Sequence, residues 1–400
     1  MKNQPAGTGG HAGSHGDHAS KPPAPGVGDP AYDSPELREL LGHLRELEAE
    51  VGLVRREHAD PPESAELWAA ARRGLVKALD PHSSWLDRDE VALRGSGDVP
   101  LGFGFGFDWV VRDGKPTVVR VVPGSSASSA GLEAGLIIVR AGDTLLDGQP
   151  GAALVRAFNA LPDRAGFEVA TADGAKRTVE VLRSDLTDTG LGICDAPDAR
   201  GLARITIGRF FAPRPDADGR PATLSTAQAL AGAVAKAASA RAIVLDLRGC
   251  GGGNLQVAVD ALACFLPPEA IVAHQVSRNP ARNRTLTVPQ PGTRFTGPIA
   301  VLLDRHSASA AEVFAAALQH HRRAVVVGER SAGKTSVQQL FLLPSGDAML
   351  LTVAKLRRPD QSEPAGGIDP DLPASRLPGT ADTVLERARD ALAAILAAGR

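Results

Sequence analysis

The chain is poor in the residues that build nucleic-acid platforms. Only 4% of its 400 residues are aromatic, with one tyrosine and three tryptophans, so base stacking has little to work with. No sign of charge dominates either: 44 Lys and Arg against 46 Asp and Glu leave a net charge of −2, with no long basic run. Nucleic acid is therefore not an expected partner. Cysteine is scarce and odd in number. Cys194, Cys250 and Cys264 have no metal-type spacing, which argues against a disulfide framework and reads as small buried hydrophobes. A long apolar run is missing as well. Residues 1–35 are a tail rich in Gly, Ala, Pro, Ser and His, so no export signal and no membrane span is read in the chain as written, cytoplasmic on that reading, with the compartment left open. His11, His15 and His18 in that tail read as solvated linker, and neither a metal nor a cofactor is expected.

What is present is enough apolar material, 43% of the residues, for a real core, and a length that suggests roughly two to three domains. Leu37, Leu40, Leu41, Leu44, Leu47, Val51 and Val54 recur at helical spacing, Pro61-Pro62 breaks that helix, and a second is expected to Leu79. These helices give a cap at residues 36–95, read as ordinary core patterning. Residues 96–185 read as β-rich: a Gly-alternating loop holding Gly102, Phe103, Gly104 and Phe105, a strand over Thr117–Val122, and a hairpin at Asp173-Gly174. Such a loop can gather backbone N–H groups into a nest for a chain-terminal carboxylate, while the neighbouring strand edge pairs with the peptide. From residue 186 to 375 strands alternate with helices, and runs such as Ala242–Leu247 and Pro298–Leu303 are apolar on both faces. The fold class is thus multidomain α/β with a layered core, closed by a helix within 376–400.

The chemistry concentrates between Asp304 and Gln338. Ser309 stands before an expected helix starting near Ala310, where the dipole favours developing negative charge. Lys334 follows a buried strand and a Gly turn, and a desolvated lysine can take a serine's proton. On an extended strand Lys334, Ser336 and Gln338 share a face, which lets Gln338 orient the amine. Gly251-Gly252-Gly253 after the Asp246 strand can bring backbone N–H groups of Gly252 and Gly253 near that of Ala310 to form an oxyanion hole. Each has a plainer role: Ser309 as an N-cap, Lys334 as a turn lysine, the glycines as a tight turn, Glu312 as a helix-start charge. His320 and His321 read as surface caps at a helix end.

The segment Gly328–Thr335 also fits the pattern G-x-x-x-x-G-K-[ST]. A phosphate loop needs a helix directly after the lysine, whereas Ser336–Val353 reads as two β-runs joined by Pro344-Ser345-Gly346-Asp347. No nucleotide is expected.

Taken together, these residues resemble the carboxyl-terminal processing peptidases. The resemblance rests on Leu79–Asp87, Ser129–Gly135, Leu245–Gly253, Ser307–Glu312, Val327–Glu329 with Gly333-Lys334 and Gln338, and Gly367–Asp371, in matching order. It implies a PDZ-like domain at 96–185 that captures substrate C-termini, and a ClpP/crotonase-like core with Ser309 as nucleophile, Lys334 as base and Gln338 as its orienter. It also implies polypeptide substrates with free C-termini, and is compatible with a homodimer or larger oligomer and with an activating adaptor. Bacterial members of that family are mostly exported. Gly249-Cys250 and Leu136 depart from the family pattern and leave one alternative, a catalytically silent PDZ-containing peptide scaffold.

Overall fold

The computed structural model of the protein describes residues 35–88, 90–91, 103–112, 115–122, 125–149, 151–171, 173–185, 191–212, 224–289, 294–363, 366–375 and 382–398. Two compact units divide the chain, Met1–Ala71 and Arg72–Arg400. In the first, α1 (Pro35–Glu57) has the expected span, but Leu40, Leu41, Leu44 and Val54 of its stripe are exposed while Leu47 and Val51 are half-buried, so this patterning is not that of a filled core. Helix α2 (Ser64–Lys77) begins in the first unit and ends in the second. Soon after it comes β1 (Ser84–Leu86).

The next stretch is antiparallel. It contains β2 (Phe103–Gly104), β3 (Phe107–Arg112), β4 (Lys115–Val121), α3 (Ser126–Ser129), β5 (Ile137–Ala141) and β6 (Thr144–Leu145). Helix α4 (Gly151–Asn159), β7 (Arg164–Ala170), β8 (Lys176–Leu182) and β9 (Ser184–Asp185) complete it. Strands β3-β4-β5-β7-β8 form one sheet in that order, with β6 on β5, and β2 pairs with β9. Alternation on β7 turns Ala165, Phe167 and Val169 inward, where they meet Leu154, Ile138 and Val181 in a core of their own. Gly102 lies outside the described residues. Phe103 and Gly104 pair with Asp185 and Ser184, and the Phe105 ring is buried, edge-on to Phe167 at 5.1 Å.

The remaining chain builds two more sheets. In order come β10 (Leu191–Cys194), β11 (Leu202–Ile207), α5 (Thr226–Lys236), β12 (Ala242–Asp246), α6 (Leu255–Ala261), β13 (Ile271–Val276), β14 (Arg284–Thr287) and β15 (Ile299–Leu303). They are followed by α7 (Ala310–His320), β16 (Val325–Gly328), β17 (Ser336–Leu342), β18 (Ala348–Arg357), β19 (Leu372–Pro373) and α8 (Thr383–Ala398). The first sheet runs β10-β11-β12-β15-β16-β19, parallel from β11 onward. All five residues of β12 and of β15 are buried, because both faces are covered. Ile243, Leu245, Ile299 and Val301 face the side of α5, α6 and α7, while Val244, Ala300 and Leu302 face Val384, Leu385, Ala388 and Leu392 of α8. Helix α8 is therefore part of the layered core. The second sheet, β1-β18-β13-β14 with β17 on β18, ties residues 84–86 to 348–350, so β1 belongs with the later chain. The β17–β18 hairpin turns through Pro344–Asp347 as expected.

Helix α7 is anchored by Phe314, fully buried with its ring 5.4 Å from Phe210 and 6.2 Å from Phe265. Phe314→Ala should lower stability by about 3–5 kcal/mol, seen as an earlier midpoint in urea unfolding.

Candidate active site

Two loops meet at the carboxyl ends of β12 and β15, where an open α/β sheet presents a crevice. Loop 248–253 is held by Arg248, whose guanidinium bonds Asp246 (2.6 and 2.8 Å) and Asp382 (2.8 and 2.9 Å). Burial lowers the Arg248 pKa, but the bonds and charges of those two carboxylates outweigh it and raise the pKa overall. Loop 304–309 is stitched to it. Asp304 Oδ1 accepts from the Gly249, His306 and Ser307 amides at 3.0 Å each, the buried Ser307 hydroxyl donates to the Leu247 carbonyl at 2.9 Å, and Ala308 N–H donates to the Cys250 carbonyl at 2.9 Å. Cys250 is buried in the core cluster behind this junction, and Cys264 is buried too. Cys194, in contrast, is exposed, so the expectation of three buried cysteines fails there: it ends an edge strand.

Ser309 follows in an unusual conformation, φ 58° and ψ −120°, immediately before α7. A non-glycine residue held there costs about 1–3 kcal/mol and persists only where its surroundings over-determine it. The Ser309 hydroxyl makes no capping bond; Glu312 N–H goes to the Ser309 carbonyl at 2.9 Å. Ser309 is the N-cap of α7, its own N–H donating to Glu312 Oε2 at 2.8 Å. The strained turn from loop to helix sets Ser309, half-buried, at the mouth of α7.

Gly252 lies against this turn. A Cβ on it would stand 2.6 Å from the Ala308 carbonyl oxygen, 2.8 Å from Ser309 Cβ and 2.9 Å from Ala310 N, and its φ is 99°. Only glycine fits such a contact with backbone. Gly253, at φ 128°, bridges Phe210 in parallel fashion: Phe210 N–H donates to the Gly252 carbonyl and Asn254 N–H to the Phe210 carbonyl. The N–H of Gly253 therefore points away from Phe210. Gly252, Ser309 and Ala310 are thus brought together, with Gly253 beside them.

The residue that sequence reasoning missed is Glu312. It is 1% exposed, and its carboxylate collects four donors. Oε2 accepts from Ser309 N and Lys334 N at 2.8 Å each, while Oε1 accepts from Ser331 Oγ at 2.6 Å and Gly333 N at 2.7 Å. Ser331 in turn accepts from Ile368 N at 2.7 Å. One oxygen atom thus links the backbone of Ser309 to that of Lys334, and the two nitrogens lie no farther apart than the sum of two hydrogen bonds. The serine followed three residues later by glutamate is the signature of a capping box. That pattern could have drawn attention to Glu312, but not to its bonds with residues 331–334.

Lys334 is half-buried and lies just before β17 rather than on it, and the register against β18 shifts between Val337 and Gln338. The expectation of one uninterrupted strand face from 334 to 338 is corrected accordingly. Gln338 still turns to the same side as Ser336, its Nε2 donating to Ser336 Oγ at 2.6 Å and lying 3.4 Å from Thr352 Oγ1. Thr352 leads on to Asp80 in the Leu79–Asp87 segment. Burial raises the Asp80 pKa, but hydrogen bonds from Ser83, His82 and Thr352 lower it overall. A strand and hairpin after Lys334, with no helix there, also leave the G-x-x-x-x-G-K-[ST] pattern without a phosphate-binding helix N-terminus. His320 and His321 sit at the far end of α7 from Ser309, and the His321 ring meets the Ile271 carbonyl at 2.8 Å.

The model of peptidase family S41 matches residues 202–374. A carboxy-terminal-processing protease of Bartonella bacilliformis is 28% identical over 338 residues, covering 80% of this chain and 72% of that protein. A carboxyl-terminal-processing protease of a Picosynechococcus species is 42% identical over 116 residues, covering 29% of this chain and 27% of that protein. Among solved structures, the photosystem II D1 C-terminal processing protease superposes with a TM-score of 0.58 at 22% identity, covering 84% of this chain and 88% of that one, a likeness of fold. Residues 202–374 thus match peptidase family S41, and over most of its length the chain is similar to carboxy-terminal-processing proteases.

Proposed function

We propose that the protein is a serine endopeptidase that hydrolyses polypeptides near their C-terminal end through Ser309 and Lys334. The observation that carries this reading is the Glu312 carboxylate, which accepts from the backbone N–H of both residues at 2.8 Å. A buried acceptor shared by the two segments fixes their separation, and fixed separation is what a nucleophile and its base require. In the reaction Ser309 Oγ attacks the scissile carbonyl carbon while Lys334 Nζ takes its proton. The tetrahedral oxyanion is met by backbone N–H groups of Gly252 or Gly253 and Ala310, and the proton passes to the leaving amine as the C–N bond breaks. Water then hydrolyses the acyl-enzyme with Lys334 as base. Gln338 serves as the orienter of the lysine.

The β-rich residues 96–185 are proposed as a PDZ-like domain that holds the substrate's C-terminus. The Phe105 ring is buried, so any carboxylate contact in this loop would come from backbone groups. The substrates are polypeptides with a free C-terminus.

Time-resolved digestion of casein, with products mapped by mass spectrometry, tests the reading. Wild-type cleavage that disappears in Ser309→Ala supports it, and undiminished cleavage in that variant ends it. Gly252→Ala should reduce kcat by about 10²-fold or more while leaving a folded protein, because the added methyl pushes Ala310 N and Ser309 out of place.

A further inference from the structure

A polar chain runs from Gln338 away from Ser309 and Lys334 to the segment that leads into β1, and none of its other members takes part in the mechanism above. Asp80 meets only donors. Its Oδ1 accepts from His82 N at 2.8 Å, Ser83 N at 2.9 Å and Thr352 Oγ1 at 3.0 Å, and its Oδ2 accepts from Ser83 Oγ at 2.6 Å. Ser83 Oγ accepts in turn from Thr352 N at 3.0 Å, so the backbone of β18 is pinned beside its own side chain. A threonine hydroxyl has one proton. Thr352 gives that proton to Asp80 and can offer Gln338 only lone pairs.

This polarity decides how the Gln338 amide must lie. The group facing Thr352 Oγ1 at 3.4 Å and Ser336 Oγ at 2.6 Å has to be the NH₂ of Gln338, which leaves its carbonyl oxygen on the other side. The reverse orientation would set an acceptor against an acceptor at Thr352. We propose that Asp80 and Thr352 are positioning residues that fix the Gln338 amide with its carbonyl oxygen presented to the Lys334 amine. A carbonyl there accepts from the amine before proton transfer and from the ammonium after it, whereas a flipped amide would turn N–H donors on a cation. The inference rests on the Ser309–Lys334 reading.

The test compares casein cleavage by wild type, Ser309→Ala, Gln338→Ala, Thr352→Val, Thr352→Ser and the double variant Thr352→Val/Gln338→Ala. Valine keeps the volume of threonine and removes the hydroxyl, and serine keeps the hydroxyl. Thr352→Val should lower kcat by about tenfold with KM within twofold, and Thr352→Ser should recover most of it. The double variant should be no slower than Gln338→Ala alone, since Thr352 acts through that amide. Asp80→Asn, which can place a donor against Thr352, should show the same loss in kcat; if it fails to fold, the two Thr352 variants decide. Wild-type kcat in Thr352→Val, an equal loss in Thr352→Ser, or losses that multiply in the double variant would overturn the proposal. An inactive Ser309→Ala beside a fully active Thr352→Val removes only this inference. A Ser309→Ala that still cleaves, or a wild type that does not, removes the reading beneath it as well.

Discussion

Replacing Lys334 with methionine, or Ser309 with alanine, is expected to reduce turnover by about 10⁴-fold or more without unfolding the protein. Both side chains are half-buried, neither belongs to the packed core, and methionine keeps the length of the lysine stem, so the loss would report chemistry and not packing. The two substitutions should also fail to add. Once the nucleophile is gone there is nothing for the base to deprotonate, and the double variant should be as slow as either single one. Lys334→Arg separates charge from basicity. A guanidinium keeps the positive charge but does not give up its proton in water, so it should be as inactive as methionine. Activity in the arginine variant would mean that Lys334 acts as a fixed cation, and the serine would need a different base. Initial rates of casein cleavage, with unfolding curves for each variant, make this measurement.

The second large effect belongs to Glu312. Its carboxylate is buried and serves four donors, three of them backbone N–H groups of Ser309, Gly333 and Lys334. Alanine would leave those donors in a protein interior without a partner, at a cost of about 3–5 kcal/mol. Glutamine is the sharper probe. Its NH₂ must face either the oxygen site shared by Ser309 and Lys334 or the one shared by Ser331 and Gly333, and in both cases donors oppose donors. A stability loss of about 1–3 kcal/mol is expected, together with a fall in kcat of about 10²-fold from displacement of the strained Ser309 turn. Urea unfolding and casein turnover read the two quantities separately. A glutamine variant with normal kcat would show that the Glu312 bonds are not needed to hold the reactive geometry.

Much of the core was already determined by local pattern. Ala242–Asp246 and Ile299–Leu303 are apolar at every position but one, and a strand of that kind must be covered on both faces, as it is here by helices on each side. The turn Pro344–Asp347 between two β-runs specified the hairpin that separates this chain from a phosphate loop. Ser309 before an apolar helix and the run Gly251–Gly253 were equally visible, because helix starts and positive-φ turns depend on residue types within a few positions. Local pattern was also misleading where burial depends on a partner. The apolar stripe of α1 has the period of a core helix, yet Leu40, Leu41 and Leu44 in it are exposed.

Tertiary structure alone decided what surrounds the serine. Glu312 has an ordinary helix-start context, and three of its four bonds exist only because the turn at 331–334, after β16, returns to the mouth of α7. Asp80 bonds Thr352 across 272 residues, and β1 finds β18 across a similar span. Periodicity records which face of an element is apolar; it carries no record of which distant donor will meet a buried acceptor. That assignment follows from the closing of two sheets around one loop, where each buried carboxylate must find its donors or the site does not form.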